Sequence, residues 1–528
     1  VGRDRGVRGL LLLAAALAAV AFLYGALSPG TYQDDDLDRY YMARELWRQP
    51  ALLLDAWGMP LALLLFAVPA RLFGFAGVEA VSALATGGAA FAVARAARSL
   101  GLPAPWLAAV FLFFQPIVLT LSFGGVAEPV AALVLACVLW AWYAGRISLA
   151  VILAGLLPLA RIETGVLTLL VLLVGWSRVG WRARGAALLP LLLWNGLGAI
   201  LTGDLLYILA RSGTRPLHSL GSLHYARYLI VIAGPVVLFY FLWSLVGRGF
   251  PPPSEPGKKR PGFPALAALL FGVHVSLLTL LAWEALPFGR SIGFLRHVAA
   301  TSPALALVAV WGVGDWVGRS SSRPWMPRVL FSVLWTAMVG FLLSGELIGH
   351  SYPGPGHVPM RWVVTAILAA GGIVFLWRPG RRERVLVLGI GLLAAGWALV
   401  AVRPIPLNSE RKAIQSVVEY LDLGGNRNAV VYTNHPWFVF LAGRDRYDLR
   451  RTPHLTKAAV AEAPVGSLLL WENHYGPRLW GDVSLEELRG NPRLMRLMEA
   501  IGGREKEFRV VLFRVTEPPA LSEPAPGS

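Results

Sequence analysis

Nearly unbroken apolar stretches recur along this chain, from Leu10–Leu27 at one end to 385–402 near the other. A helix needs about 20 apolar residues to cross the hydrocarbon core of a bilayer. Backbone inside lipid must satisfy its own hydrogen bonds, so segments of that length and character are confined to helices. Apolar runs fall near 10–27, 77–97, 105–122, 129–145, 147–160, 165–177, 186–203, 226–246, 264–283, 298–317, 329–346, 362–377 and 385–402. They predict a polytopic α-helical membrane protein of about eleven to thirteen transmembrane helices. The apolar stretch 60–74 is bracketed by Pro60 and Pro69 and reads as a re-entrant or surface-lying element. No small-x-small cleavage site follows Leu27, so the first run is expected to be retained as a helix.

Composition decides between two meanings of the basic charge. Only 15% of the 528 residues are charged, yet the formal net charge is +17. Soluble domains carry about 25% charged residues. The basic residues sit in short clusters on alternate connections: Arg3, Arg5 and Arg8; Arg95 and Arg98; Arg146; Arg178, Arg182 and Arg184; Arg248, Lys258, Lys259 and Arg260; Arg319, Arg323 and Arg328; Arg378, Arg381, Arg382 and Arg384. Alternation of this kind marks cytoplasmic loops. It argues against nucleic acid as a partner and for the lipid bilayer. It places the N-terminus in the cytoplasm of an integral plasma (inner) membrane protein. The lone cysteine, Cys137, lies in an apolar run and reads as a packing residue.

The opposite connections hold the polar residues that could do chemistry. The first contains Gln33-Asp34-Asp35-Asp36-Leu37-Asp38-Arg39-Tyr40-Tyr41. Tyr40, Tyr41, Ala43 and Leu46 are spaced as on one helix, so a surface helix is predicted from Asp35 to Trp47. Carboxylates at a helix N-terminus are favoured by up to about 1 kcal/mol, and an acidic cap is the plain alternative. Three adjacent Asp exceed what one cap needs. They suit a general base, with Asp35, Asp36 and Asp34 as candidates, or an Mg²⁺ or Mn²⁺ ion held by Asp35 and Asp36. On the same side lie Glu128, Arg161 with Glu163, Asp204, and Arg296 with His297. Ionisable residues at membrane depth are costly and usually functional, although Arg161 could also serve as a structural ion pair. His218 and His224 share one loop.

Beyond Val402 the character changes. Residues 411–422 have helical spacing, whereas Asn428–Thr433, Ser467–Trp471 and Phe508–Val515 read as buried strands with helical patterns between them. A small extracytoplasmic α/β domain is expected at 403–515, with a disordered tail at 516–528. His435, Trp437, Trp471, Glu472, Asn473 and His474 could line a cleft in it. Gly-x-x-x-x-Gly-Lys and His-Glu-x-x-His motifs do not occur, which removes P-loop transport and zincin proteolysis.

The acidic loop resembles the first outer loop of the GT-C membrane glycosyltransferases, in the branch of protein mannosyltransferases and aminoarabinose transferases. In that branch an Asp-Glu pair stands eight residues before Ala-Arg. Aligning Ala43-Arg44 puts Asp35 at the catalytic Asp and Asp36 in place of the Glu. Ser122–Pro129, ending in Glu128-Pro129, is similar to the family's Glu-Pro loop. Arg161-Ile162-Glu163 resembles its Arg-Pro-Glu, Arg296-His297 its Arg-Tyr, and Gly203-Asp204 its Gly-Asp-Pro. The resemblance implies a GT-C-like catalytic domain at 1–402, with 28–76 as its first outer loop carrying surface helices. It further implies an inverting hexosyltransferase using a polyprenyl-phosphate-linked sugar, with a glycan, lipid or protein acceptor. Glu128, Arg161, Glu163, Asp204, Arg296 and His297 would bind substrate. A transporter or flippase of lipid-linked saccharide is the alternative reading.

Overall fold

The computed structural model describes residues 2–211, 222–247, 262–283, 293–320, 383–476, 483–503 and 508–517. The spans expected at 329–346 and 362–377, His218 and most of the expected tail lie outside the described residues. In chain order the helices are α1 (Gly2–Ala26), α2 (Asp35–Glu45), α3 (Pro60–Ser99), α4 (Pro105–Phe113), α5 (Pro116–Leu121), α6 (Glu128–Tyr143), α7 (Ile147–Ala154), α8 (Leu157–Ala160), α9 (Gly165–Gly175) and α10 (Trp181–Thr202). They continue with α11 (Tyr207–Arg211), α12 (His224–Ala233), α13 (Pro235–Gly247), α14 (Ala265–Ala282), α15 (Ser302–Ser320), α16 (Glu383–Ala401), α17 (Ser409–Leu423), α18 (Pro436–Leu441), α19 (Lys457–Glu462) and α20 (Leu485–Gly490). Two compact units result. One comprises Val1–Leu27 and Leu46–Pro404, the other Ser28–Glu45 and Ile405–Ser528.

The first unit is a helical bundle. Among the described residues, Gly6–Ala26, Pro60–Ser99, Trp181–Thr202, Ala265–Ala282 and Leu295–Val317 are long and apolar enough to cross a membrane, and four shorter apolar helices accompany them. The chain is thus a multi-pass membrane protein. Proline sets many of the helix starts: Pro60, Pro105, Pro116 and Pro235 open α3, α4, α5 and α13. At the first helical position the missing N–H costs nothing and the fixed φ is already helical. The expected division of 60–74 from 77–97 is present: α3 consists of two helical stretches joined across a kink at Gly74, whose φ 65° and ψ −148° are not helical. Pro69 is absorbed inside it, because packing offsets the loss of one backbone bond. The span expected at 105–122 is two helices, α4 and α5, divided at Pro116, and that at 226–246 is α12 and α13, divided at Gly234 (φ 76°) and Pro235. A Cβ on Gly312 of α15 would lie 2.1 Å from the Tyr240 carbonyl of α13. Small residues permit such close helix approach in membranes.

The second unit is a small α/β fold. Strands β1 (Val431–Tyr432), β2 (Leu468–Glu472), β3 (Leu494–Gly502) and β4 (Phe508–Val515) form one sheet in the order β1-β2-β4-β3. β1 and β2 are parallel, while β4 runs antiparallel to both its neighbours. Leu469, Trp471, Val511 and Phe513 join Leu455, Leu485 and Leu488 in one core. Strand side chains alternate faces, and Leu468, Leu470, Val510 and Leu512 are buried too. The central strands are therefore covered on both sides. α17 buries Ile414, Val417, Val418 and Leu421, and packs against β3 and β4.

Two features differ from the sequence reading. β3 was expected within a helical pattern, since Leu, Met, Arg, Glu and Ala are good helix formers. Its pairing with β4 overrides that preference. The loop assigned to the membrane domain at 28–76 also divides, and Ser28–Glu45 packs with the second unit. Gly30 N–H donates to Ile405 O (2.9 Å), and Ile405 N–H returns a bond to Ser28 Oγ (2.9 Å). Leu37, Tyr40 and Tyr41 of α2 are buried, and the Tyr41 hydroxyl donates to the Arg444 carbonyl (3.5 Å).

Candidate functional site

The four carboxylates of the acidic loop have separate fates. Asp34 accepts from Trp437 Nε1 at 2.7 Å, from Arg411 Nη2 at 3.2 Å and from the Tyr475 hydroxyl. Arg411 lies over the Trp437 ring, 4.3 Å from its centre, and donates from Nη1 to Thr31 O at 2.7 Å. Asp36 is fully buried, and its Oδ2 accepts the Gln33 N–H at 2.9 Å, capping the turn that opens α2. Asp38 forms an ion pair with Arg446. Asp35, the first residue of α2, is half-buried. Asp34, Asp36 and Asp38 thus spend oxygens on separate sets of partners.

Behind Asp34 lies a second polar group. His435 Nε2 and His474 Nδ1 both approach Glu410 Oε1, at 2.8 and 2.7 Å. Burial disfavours the Glu410 carboxylate, but these two hydrogen bonds and the imidazole charge outweigh it and hold its pKa down at about 2. His474 stacks on Tyr475 with ring centres 4.3 Å apart. Burial and then Asp34 push the Tyr475 hydroxyl above its ordinary value, which keeps it a donor. Glu472, at the end of β2, accepts the backbone N–H groups of His474, Tyr475 and Gly476 and fixes this turn.

The first unit contains a buried ionic cluster. Glu128 opens α6, whose preceding loop is anchored by Ser82 Oγ donating to Gly124 O at 2.6 Å. Arg161 follows α8 in extended conformation (φ −155°). Its Nη1 meets Glu128 Oε1 at 2.8 Å, while Nε and Nη2 meet Glu163 Oε1 at 2.8 and 2.5 Å. Arg296 Nε lies 3.2 Å from the same Glu128 oxygen, and its guanidinium sits 4.8 Å from the centre of the Phe294 ring. Glu128 and both arginines are almost fully buried. Four residues singled out in the sequence therefore converge, two guanidinium groups against two carboxylates. His297 adjoins them, edge-on to Phe294 at 5.9 Å.

Asp204 does not join this cluster. It lies in an exposed turn after α10, where its Oδ1 accepts the Leu206 N–H at 3.0 Å. His224 donates from Nε2 to Gly293 O at 2.8 Å. The sequence reading did not single out His274, which is fully buried on α14 with Nδ1 3.1 Å from Thr301 Oγ1. Thr301 spends its own hydroxyl proton on Val298 O (2.9 Å), so His274 donates from Nδ1. A lone histidine in an apolar helix gave no periodic signal. Arg411 and Tyr475 were missed as well, because they lie 377 and 441 residues from Asp34 in the chain.

No protein-family model and no curated protein matches the chain. Solved structures do match. ArnT from Cupriavidus metallidurans in the apo state aligns with a TM-score of 0.56 at 12% identity, over 96% of this chain and 98% of that one. ArnT bound to undecaprenyl phosphate aligns with a TM-score of 0.54 at 12% identity, over 95% and 97%. The chain shares the fold of that GT-C family aminoarabinose transferase, as the sequence resemblance implied.

Proposed function

We propose that the protein is an inverting glycosyltransferase that moves a sugar from a polyprenyl-phosphate donor to an acceptor hydroxyl at the extracytoplasmic membrane face. The observation that carries this reading is the fold shared over nearly the whole chain with a protein whose crystal structure holds undecaprenyl phosphate. A lipid-linked donor also suits a multi-pass bundle, because it is delivered within the bilayer. The topology proposed with it puts the N-terminus in the cytoplasm and the second unit outside.

In the proposed step the acceptor oxygen attacks the anomeric carbon, and the bond from that carbon to the phosphate oxygen breaks. The acceptor's proton passes to Asp35, and polyprenyl phosphate leaves with the bonding electrons. Asp35 is assigned this role because it stands eight residues before Ala43-Arg44, where the family resemblance puts the catalytic Asp. A positioned general base contributes typically about 10²- to 10⁴-fold in rate. Negative charge developing on the phosphate is met by Arg296, whose planar fork suits phosphate oxygens. Arg161 is engaged through three nitrogens with Glu128 and Glu163, and is the second candidate. Glu128, shared by both guanidinium groups, sets their orientation.

Asp35→Asn tests the reading in a transfer assay with a polyprenyl-phosphate hexose. Turnover should fall by about 10²-fold or more while the variant stays folded and binds polyprenyl phosphate. Full turnover in that variant would remove Asp35 as the base. Lipid-saccharide movement without any transfer would favour the flippase instead. A product that retains the donor's anomeric configuration would sink direct displacement.

A further inference from the structure

Among the described residues, one group of side chains outside the proposed chemistry has the composition and convergence of a metal site: Glu410, His435 and His474. One oxygen and two imidazole nitrogens all lie within 4.8 Å of one another. Each comes from a fixed point of the fold. Glu410 sits in the first turn of α17, which Asn408 caps by accepting the Arg411 N–H at 2.8 Å. His435 follows the end of β1 and caps α18. His474 follows the end of β2, in the turn that Glu472 pins. β1 and β2 are parallel neighbours, and ligands of α/β sheets bind beyond the carboxyl ends of such strands. The site opens to solvent on one side: the His435 side chain is buried, but those of Glu410 and His474 are 20% and 33% exposed.

We propose that Glu410 Oε1, His435 Nε2 and His474 Nδ1 bind a divalent transition-metal ion of the zinc class, with a fourth position left to water. Two neutral imidazoles and one carboxylate are the ligand set that borderline cations prefer, and a three-ligand set leaves a position open. The hard cations Mg²⁺ and Ca²⁺ favour oxygen ligands and fit poorly. Without metal, two protons occupy this space, one on each facing imidazole nitrogen, and both point at Glu410 Oε1. The exchange has a visible consequence at His435. Its Nδ1 accepts the Trp437 N–H at 3.2 Å, which places the ring proton on Nε2. A metal at Nε2 moves that proton to Nδ1 and breaks the Trp437 contact, the longest hydrogen bond of the group. His474 exchanges its Nδ1 proton in the same way. The ion would tie the start of α17 to the ends of β1 and β2, directly behind the Tyr475 that holds Asp34.

The full-length protein in detergent, freed of metal by chelation, is titrated with ZnCl₂ by calorimetry, and separately with MgCl₂. Glu410→Gln and His474→Asn are titrated beside it after their melting temperatures show that they are folded. The expected result is one Zn²⁺ per chain, at least about tenfold weaker in either variant, with no comparable Mg²⁺ binding. Imidazole ¹⁵N shifts of His435 should report transfer of the ring proton from Nε2 to Nδ1 on loading. Absence of Zn²⁺ binding overturns the proposal, as does binding of equal affinity in both variants or an unchanged His435 tautomer. None of these readouts involves glycosyl transfer, so the site stands or falls apart from the proposed function.

Discussion

The ionic cluster of the helical bundle and the acidic loop of the second unit solve the same problem differently. Each must partner carboxylates removed from water. In the bundle, charge is answered by charge: Glu128 holds Arg161 and Arg296, and Glu163 holds Arg161 again. In the second unit, Asp34 is answered by one guanidinium, one indole and one phenol from three separate segments. The bundle cluster is consequently intolerant of losing a member, because the remaining charges have no water to turn to. The loop hub is more tolerant, because neutral donors carry part of the load and Asp34 keeps some exposure.

The sharpest break of that comparison is Glu128→Ala. It strips a shared carboxylate from two buried guanidinium groups. Removing one member of a buried charge network typically costs about 3–5 kcal/mol, and the loss should show in denaturant unfolding of the detergent-solubilised protein. Adding Arg296→Met to Glu128→Ala should recover part of it, since one uncompensated charge goes too. A cost under about 1 kcal/mol for Glu128→Ala would mean that the cluster is hydrated, and the contrast between the two regions would collapse.

Asp34→Asn should come next in size. The substitution keeps the shape but removes the charge and one acceptor, so Arg411, Trp437 and Tyr475 lose charge-assisted bonds. Hydrogen bonds to charged groups contribute about 1.5–3 kcal/mol, and a loss in that range is expected in thermal unfolding. Turnover should fall less than in Asp35→Asn, because position 34 anchors the helix while position 35 is assigned the proton. If Asp34→Asn abolished transfer without any effect on unfolding, the two roles would be reversed.

The same contrast explains what could be read from the chain. Glu128, Arg161, Glu163 and Arg296 were legible because each is an ionisable residue at the end of an apolar run, where charge is rare and costly. Hydropathy gave the multi-pass helical class for the same reason: lipid leaves few alternatives. The hub around Asp34 was not legible. Its partners lie 377 to 441 residues away, and tryptophan, tyrosine and arginine are ordinary residues in any α/β domain. Membership of Ser28–Glu45 in the second unit was hidden likewise, since proximity in sequence argued for the bundle. β3 failed as a strand because its edge position leaves Met495 and Ile501 exposed, so it lacks the nearly continuous buried run that marks β4.

Within the hub, Tyr475→Phe separates the neutral donors from the charged one. The ring stays stacked on His474, and only the hydroxyl that donates to Asp34 is lost. Arg411 and Trp437 remain on that carboxylate, so a cost of about 1 kcal/mol is expected, smaller than for Asp34→Asn. A double-mutant cycle of Tyr475→Phe with Asp34→Asn should show coupling of similar size. Additive effects would mean that the hydroxyl bonds elsewhere in solution.

Asp38→Asn marks the low end of the scale. Asp38 and Arg446 form an ion pair, but their side chains are 27% and 28% exposed. Water screens such a pair, and ordering two long side chains offsets much of the attraction, so exposed pairs are worth about 0–1 kcal/mol. The variant should unfold almost as the parent does, and the small difference should vanish at high salt, where screening shortens the reach of the charges. An effect as large as that of Asp34→Asn, persisting in salt, would show that Arg446 is held as tightly as Arg411. The acidic loop would then behave like the ionic cluster of the bundle, with charge answering charge at both ends of α2's first turn.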